Sequence, residues 1–374
     1  MNEYMYGFYS FYFYFFIFYF VYATIIYSKI VVYNRINLYN IVLFLPLFFL
    51  GAFRAETVGG DLNNYIPAFI DICNEESVAD VLASGYEPGY SLMNKFIGYV
   101  SSNPRFLLVC TSFLSLIGPC YMITKYSNNI LVSVIMFCMM GFYTTTFNLV
   151  RQSIAVSIFF LSIPYLINRN RIKYILCSIL AISMHYSAIV LLLAYPLTNK
   201  ELTKERFLLY LTIVVALYII VGTSILTTII TIFFPKYNAE SIMMDNSGSG
   251  WNLLILYLFI FLFLFLIYIK KKDTLSLSDR GLTNTLIVFL MFALFFQLFA
   301  TAYSFVTRMG LYFFIPIIIT LPRFYSLVSH TIIKIYLMVL TIFLCVFFFY
   351  KAYSYNEETG ANDQSTLPYV FIEE

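Results

Sequence analysis

Charge is the scarcest property of this chain. Asp, Glu, Lys and Arg make up only 11% of its 374 residues, against about 25% in an ordinary soluble domain. That excludes a soluble globular protein. The formal net charge of +3 gives no reason to expect a nucleic-acid partner. There are two histidines, and His330 flanks a basic patch, so no Ser-His-Asp arrangement can be built. Of six cysteines, Cys110, Cys120, Cys138, Cys177 and Cys345 lie in apolar runs and only Cys73 in a polar loop. Neither a disulfide framework nor a zinc site follows from that pattern. HExxH, a phosphate-binding Walker sequence and a dinucleotide fingerprint are all missing, so neither a metal nor a nucleotide cofactor is expected.

What is abundant is apolar surface. Hydrophobic residues are 61% of the chain and aromatics 20%. A helix needs about 20 apolar residues to cross a bilayer. Such runs recur at 4–28, 38–53, 106–123, 130–147, 150–167, 174–197, 207–234, 252–269, 282–303, 309–321 and 331–350. They do not alternate, which excludes a β-barrel. The chain reads as an all-α polytopic membrane protein, one integral domain over 1–374. The first run is too long and aromatic for a cleaved signal peptide and reads as a span. The second and tenth runs are short.

Basic residues collect on the cytoplasmic side of a membrane. If 174–197 is a straight span, Lys200, Lys204, Arg206 and Lys270 to Lys272 fall outside and the rule fails. If that run enters and returns as a re-entrant hairpin, most of the 22 basic residues fall inside. Two arms of about 11 residues rise about 16 Å each, roughly half the hydrocarbon thickness. His185 and Tyr186 would then occupy the tip. The expectation is about ten transmembrane helices plus this hairpin, with both termini outside.

A large extracytoplasmic loop, 54–105, follows from this topology. Residues 62–83 and 88–100 read as short helices, the second amphipathic through Tyr90, Met93, Phe96 and Ile97. A second outer loop, 235–251, carries Pro235, Asp245, Gly248, Gly250 and Trp251. A polar tail occupies 353–374, and Lys270 to Lys272 read as a cytoplasmic anchor.

Within this apolar background a few polar residues stand out. Arg151 lies inside one of the most apolar stretches, beside Asn148 and Gln152. A guanidinium at membrane depth costs at least about 2.5–3.5 kcal/mol. It suits phosphate, which arginine grips bidentately, or it snorkels to headgroups. Arg54 follows an apolar run and precedes Gly59-Gly60-Asp61 and Tyr65. Asp61 reads either as a helix N-cap or as a base toward a sugar hydroxyl. Glu87, in Gly85-Tyr86-Glu87-Pro88-Gly89-Tyr90, is a base, a hydroxyl acceptor or a turn residue. His185 in Ser183-Met184-His185-Tyr186-Ser187 needs a partner at membrane depth. Arg308 and Tyr312, one turn apart, read as a second phosphate site or an interfacial anchor pair.

Taken in order, these elements resemble the EpsG family, the Wzy-like polymerases of bacterial O-antigen, capsule and exopolysaccharide. The resemblance rests on Arg54 with Gly60-Asp61 and Tyr65, and on Glu87-Pro88-Gly89-Tyr90. It continues through Asn148, Arg151-Gln152 and Ala155, then His185 with Ser187, Arg308 with Tyr312, and Pro368-Tyr369. It implies a GT-C-like membrane glycosyltransferase of the bacterial inner membrane. Its substrates would be undecaprenyl-diphosphate-linked oligosaccharides at the outer face, with a flippase and a chain-length regulator as partners. On that basis Arg54, Arg151 and Arg308 are expected on diphosphate, supported by Tyr65, Asn148, Gln152 and Tyr312. Asp61 is the first choice of base, followed by His185 and Glu87. A flippase for the same lipid, or a membrane transferase adding a branch sugar or acyl group, are the alternatives.

Overall fold

The computed structural model describes residues 3–33, 36–220, 250–356, 361–362, 365–367 and 369–371. In chain order the helices are α1 (Glu3–Tyr33), α2 (Ile36–Ala52), α3 (Leu62–Asn74), α4 (Val78–Leu82), α5 (Pro88–Val100) and α6 (Pro104–Tyr126). Then come α7 (Ile130–Met139), α8 (Phe142–Asn148), α9 (Val150–Ile167), α10 (Arg171–Met184), a 3-10 turn Tyr186–Leu193 and α11 (Ala194–Thr198). The rest are α12 (Lys204–Ile220), α13 (Gly250–Lys271), α14 (Leu277–Ala300), α15 (Thr307–Phe314), α16 (Ile317–Leu327) and α17 (Thr331–Tyr353).

Six of these are long and apolar enough to cross a membrane: α1, α6, α9, α13, α14 and α17. Two bent pairs raise the number to eight: α7 with α8 at 47°, and Ser304–Phe314 with α16 at 44°. The first bend falls at Gly141, whose φ of 74° is one that glycine tolerates. The expected ten would need α2 and α12 as well. Each has 17 residues among those described, and 221–234 of the seventh run lie outside the described residues.

The chain packs as two units. The first comprises Met1–Ile163, Ile175–Ile189 and Leu321–Glu374. Tyrosine hydroxyls tie its helices: Tyr19 donates to the Leu43 carbonyl at 3.1 Å and Tyr143 to that of Leu47 at 2.7 Å. α6 and α9 meet where the Gly118 N–H donates to Ser157 Oγ at 2.8 Å. A Cβ at Gly118 would run into the Ser157 backbone, so only glycine lets the helices come this close. α3 and α5 bury Tyr65, Phe69, Tyr90 and Ile97 against the start of α6, with Tyr65 and Tyr90 also reaching the start of α9. Lys95 of α5 donates to the carbonyls of Cys73 and Glu75 at the end of α3, satisfying acceptors the helix leaves open.

Two expectations for this region change. Residues 62–83 form two helices, because Ser77 caps α4 by accepting from the Asp80 N–H at 3.1 Å. On α5 the inward face is Tyr90, Ser91, Asn94 and Ile97, whereas Phe96 is 71% exposed on the other side with Leu92, Tyr99 and Val100.

The tail returns to this same end of the unit. Tyr12 Oη donates to the Thr366 carbonyl at 3.1 Å, and the Ala55 N–H to that of Val370 at 2.9 Å. The α1 residue Tyr12, the chain just after α2 and the tail thus lie together.

The second unit comprises Pro164–Tyr174 and Val190–Thr320. Its centre is α14, buried continuously from Leu282 to Phe295, the mark of an interior helix. Asn284 holds the unit's basic end. Its Oδ1 accepts from the Leu202 N–H at 2.8 Å, and its Nδ2 donates to the carbonyls of Thr198 and Lys200. Lys272, expected only as an anchor, pairs with Glu201 at 2.6 Å, as does Arg280 at 2.5 Å. Gly250 and Trp251 begin α13 instead of closing a loop, and 235–249 lie outside the described residues.

The 174–197 run doubles back. Along a straight helix Tyr174 and Leu191 would be about 25 Å apart, yet Tyr174 Oη donates to the Leu191 carbonyl at 2.7 Å. Tyr174 and Tyr195 stack at 6.0 Å, and Arg169 donates to the Thr198 carbonyl at 2.7 Å. α10 and the 3-10 turn are therefore antiparallel arms, and the α-helix stops at Met184.

Candidate active site

The site is assembled in the first unit around one carboxylate. Glu87 is the N-cap of α5, with φ −62° and ψ 140°, held extended by Pro88 at the first helical position. Its backbone carbonyl receives the first α5 hydrogen bond, from Ser91 at 2.9 Å. Its side chain turns inward and is 3% exposed. One oxygen, Oε2, pairs with the Arg151 guanidinium. The other, Oε1, lies 2.9 Å from His185 Nδ1 and accepts from the Tyr186 N–H at 3.2 Å.

Burial alone would raise this carboxyl, but the hydrogen bond from His185 and the charge of Arg151 outweigh it and hold it down at about 2. An ionised, saturated carboxylate can only accept, so the proton between His185 and Glu87 sits on Nδ1. The other ring nitrogen, Nε2, is left for a ligand. The imidazole is 15% exposed.

Arg151 is the second residue of α9, so its charge stands where the helix dipole also favours anions. It is 23% exposed. Nε donates to Tyr65 Oη at 3.3 Å and Nη1 to Glu87. That commits two of the five N–H donors a guanidinium carries. The rings of Tyr65, Tyr86 and Tyr90 surround it, at 5.4, 5.0 and 5.9 Å from Cζ, within cation–π range.

Tyr65 extends the network, donating to Asp61 Oδ2 at 3.4 Å. Burial pushes the Tyr65 phenol up to about 12, opposed by the charge of Arg151, so it stays a donor. Asp61 occupies the N-cap position of α3, but its side chain makes no cap hydrogen bond. Its backbone N–H donates to Asn148 Oδ1 at 2.9 Å. The carboxylate is thus turned toward Tyr65 and away from capping.

Several residues singled out in the sequence therefore converge: Asp61, Tyr65, Glu87, Asn148, Arg151 and His185. Gln152 is buried on the same turn of α9. The other expected site residues have different surroundings. Arg54 is 1% exposed. It donates to the carbonyls of Gly51 and Val58 and to Ser112 Oγ, under the Phe147 ring. Three of its N–H donations thus go to its own helix end, the loop that follows and α6. Glu87 has both oxygens committed, to Arg151 on one side and to His185 and Tyr186 on the other, and its low value makes it a weak base. Arg308 and Tyr312 belong to the second unit. Arg308 is exposed and Tyr312 fully buried, so the two present no shared surface.

Sequence reasoning missed the roles of Tyr86, Tyr90 and Gly89. The signal was there in Tyr86 and Tyr90, which flank the Glu87-Pro88 start of α5 and whose rings lie 5.8 Å apart. Gly89 lets the hairpin tip approach. A Cβ there would collide with Ser183 Oγ and lie 2.8 Å from Ser183 Cβ. Among the described residues no group of His, Cys, Asp and Glu could hold a metal ion.

A family model described as "EpsG family" matches residues 37–371. The chain belongs to the EpsG family. This is a Wzy-type polymerase family, and membership suggests a polysaccharide polymerase in a membrane protein. No curated protein and no solved structure matches the chain.

Proposed function

We propose that this EpsG-family chain polymerises oligosaccharide repeats carried on undecaprenyl diphosphate, at the outer face of the bacterial inner membrane. The observation that carries the reading is one buried carboxylate, Glu87, with an arginine on one oxygen and a histidine on the other.

The reaction needs three things: a base for the acceptor hydroxyl, a cation for the leaving diphosphate, and both held in one geometry. His185 Nε2 takes the proton as the acceptor oxygen bonds to the anomeric carbon of the donor chain. The bond from that carbon to the phosphate oxygen breaks, and its electron pair leaves with the lipid diphosphate. Arg151, with donors to spare, faces the charge that develops there. Glu87 fixes the imidazole tautomer and the guanidinium orientation at once, as a buried aspartate does in a serine-protease triad. The first choice of base thus moves from Asp61 to His185, and Asp61 is assigned to orienting the acceptor hydroxyl. The tyrosines around Arg151 offer faces for sugar rings. The fold is read as GT-C-like, with the hairpin re-entrant from the cytoplasmic side and its His185 tip at the site. Arg308 is kept as a candidate for the second lipid diphosphate.

The test is to delete the gene and complement it with wild type, Arg151→Ala or His185→Ala, then resolve surface glycan by length. The reading expects single repeats on the carrier from the deletion and from both variants at normal protein level. Repeats trapped inside the cell would identify a flippase, and long chains lacking one substituent a modifying transferase. Either result sinks the polymerase reading.

A further inference from the structure

The turn that carries Asp61 is held from behind by the C-terminal tail. The Gly59 N–H donates to the Ser365 carbonyl at 2.8 Å. Gly60 packs so close that a Cβ built on it would lie 3.2 Å from Ser365 Cβ. Gly59 has φ 112° and stands against the Phe147 backbone, where a side chain would collide with the carbonyl oxygen. Phe147 and Asn148 are the last residues of α8, and Asn148 Oδ1 receives the Asp61 N–H. The turn is therefore gripped between α8 on one side and Ser365 on the other.

The tail is itself anchored by specific bonds. Asn362 Oδ1 accepts from the N–H groups of Thr366 and Leu367 at 2.7 and 3.0 Å, and its Nδ2 donates to the Ala352 carbonyl at 2.7 Å. Tyr369 Oη donates to the Leu50 carbonyl at 2.7 Å, and its ring stacks on Phe11 at 4.4 Å and 3°. Thr366 and Leu367 are buried. A peptide that only trails from the last helix has no reason to bury its polar groups in matched pairs.

We propose that the tail residues 365–367 and 369–371 form a positioning element of the site. It fixes the Gly59-Gly60-Asp61 turn so that the Asp61 carboxylate stays against Tyr65 and aimed at the acceptor. The inference rests on the proposed role of Asp61 and predicts a defect in acceptor use rather than in leaving-group chemistry.

Two measurements test it, in membrane vesicles supplied with the lipid-linked repeat that accumulates in the deletion strain. First, Gly60→Cys with Ser365→Cys should form a disulfide on mild oxidation, since bridged Cβ atoms sit about 3.5–4.5 Å apart. The product is read by mass on the digested protein. Second, a chain ending at Asn362 should need about fivefold more repeat, or greater, for half-maximal extension. Its maximal rate per folded protein should change less. Failure to cross-link, or an unchanged half-saturation, overturns the proposal. So does a loss confined to the amount of folded protein. If the truncated chain does not accumulate, Tyr369→Ala decides by the same half-saturation measurement, because it removes the stacking and the Leu50 bond but no backbone. Arg151→Ala run alongside separates the two ideas: full activity there defeats the reading of the site itself, whatever the tail does.

Discussion

His185 Nδ1 lies 2.9 Å from Glu87 Oε1 across 98 residues of chain. That contact joins the tip of a doubled-back segment to the N-terminus of a loop helix, and it decides which imidazole nitrogen faces substrate. Removing the carboxylate releases the tautomer and leaves Arg151 without its counter-ion. Glu87→Gln, nearly isosteric, should therefore lower polymer formation by up to about 10,000-fold, the effect of the same kind of change at a triad carboxylate that orients a reactive histidine. Chain-length profiles at matched protein level check this. A normal profile would mean that Glu87 only caps α5.

The lowered pKa of Glu87 makes a second expectation with a definite sign. Its folded value is about 2 against an ordinary 4.5. Its contribution to stability is complete above about 4.5 and is lost as pH falls through about 2. The stability gap between wild type and Glu87→Gln in detergent should stay level from pH 8 to pH 5 and close only in stronger acid. A gap that closes between pH 7 and 5 would place the titration on another group.

Gly89 controls the approach of the hairpin tip. Gly89→Ala puts a methyl group into Ser183, 2.8 Å from its Cβ and 2.9 Å from its carbonyl oxygen. The tip must move off α5, which lengthens the His185–Glu87 contact. A displacement of about 1 Å costs on the order of 100-fold in catalysis. Adding Ser183→Gly removes the Cβ and Oγ contacts but not the carbonyl one, so the double variant should recover part of the loss. Recovery is the non-additivity that touching residues show, and simple additivity would count against the contact.

Much of this was legible before the structure, and the reasons differ by residue. The apolar runs announce the helices because nothing else so apolar can satisfy its backbone in lipid. The hairpin was the reading that put Lys200, Lys204 and Arg206 on the basic side, with a straight span as its alternative. Arg151 and His185 stood out because charge in an apolar setting needs a partner, and Asp61 and Glu87 because each sits beside glycine or proline turn residues in the outer loop. What could not be read was who partners whom. Arg54 and Arg151 look alike in sequence, one just after an apolar run and the other near the start of one. They differ in that Arg54 is 1% exposed and donates to Gly51, Val58 and Ser112, whereas Arg151, bonded to Glu87 and Tyr65, stays 23% exposed. Tail docking runs largely through backbone carbonyls, which leave no mark on side-chain identity.

That distinction between the arginines yields a fourth expectation. Arg54 is buried with its donors spread over three acceptors and Phe147, a fan that lysine cannot reproduce. Arg54→Lys should lower thermal stability by about 1–3 kcal/mol through unsatisfied acceptors, while activity per folded protein stays near wild type. Arg151→Lys should do the reverse, keeping the fold and losing product. Melting curves and chain-length profiles on the same two proteins check both halves. If Arg54→Lys is stable and inactive, Arg54 belongs to the site after all.

The folded-back segment makes a prediction about the membrane itself. Arg169 bonds to the Thr198 carbonyl, Asn284 to the Lys200 carbonyl, and Arg280 to Glu201. Residues near 170, 200 and 280 therefore share one end of the second unit. With Arg171, Lys173, Lys204, Arg206 and Lys270 to Lys272 also there, that end is strongly basic and should be cytoplasmic. Single cysteines at Arg171, Lys200 and Asp273 should resist a membrane-impermeant thiol reagent in intact cells and react once the cells are opened. A cysteine at Glu76, in the loop that carries the site, should react in intact cells. Labelling of the Lys200 position from outside, with Arg171 protected, would mean that the segment crosses the membrane, and the antiparallel pairing of Tyr174 with Leu191 could not then hold.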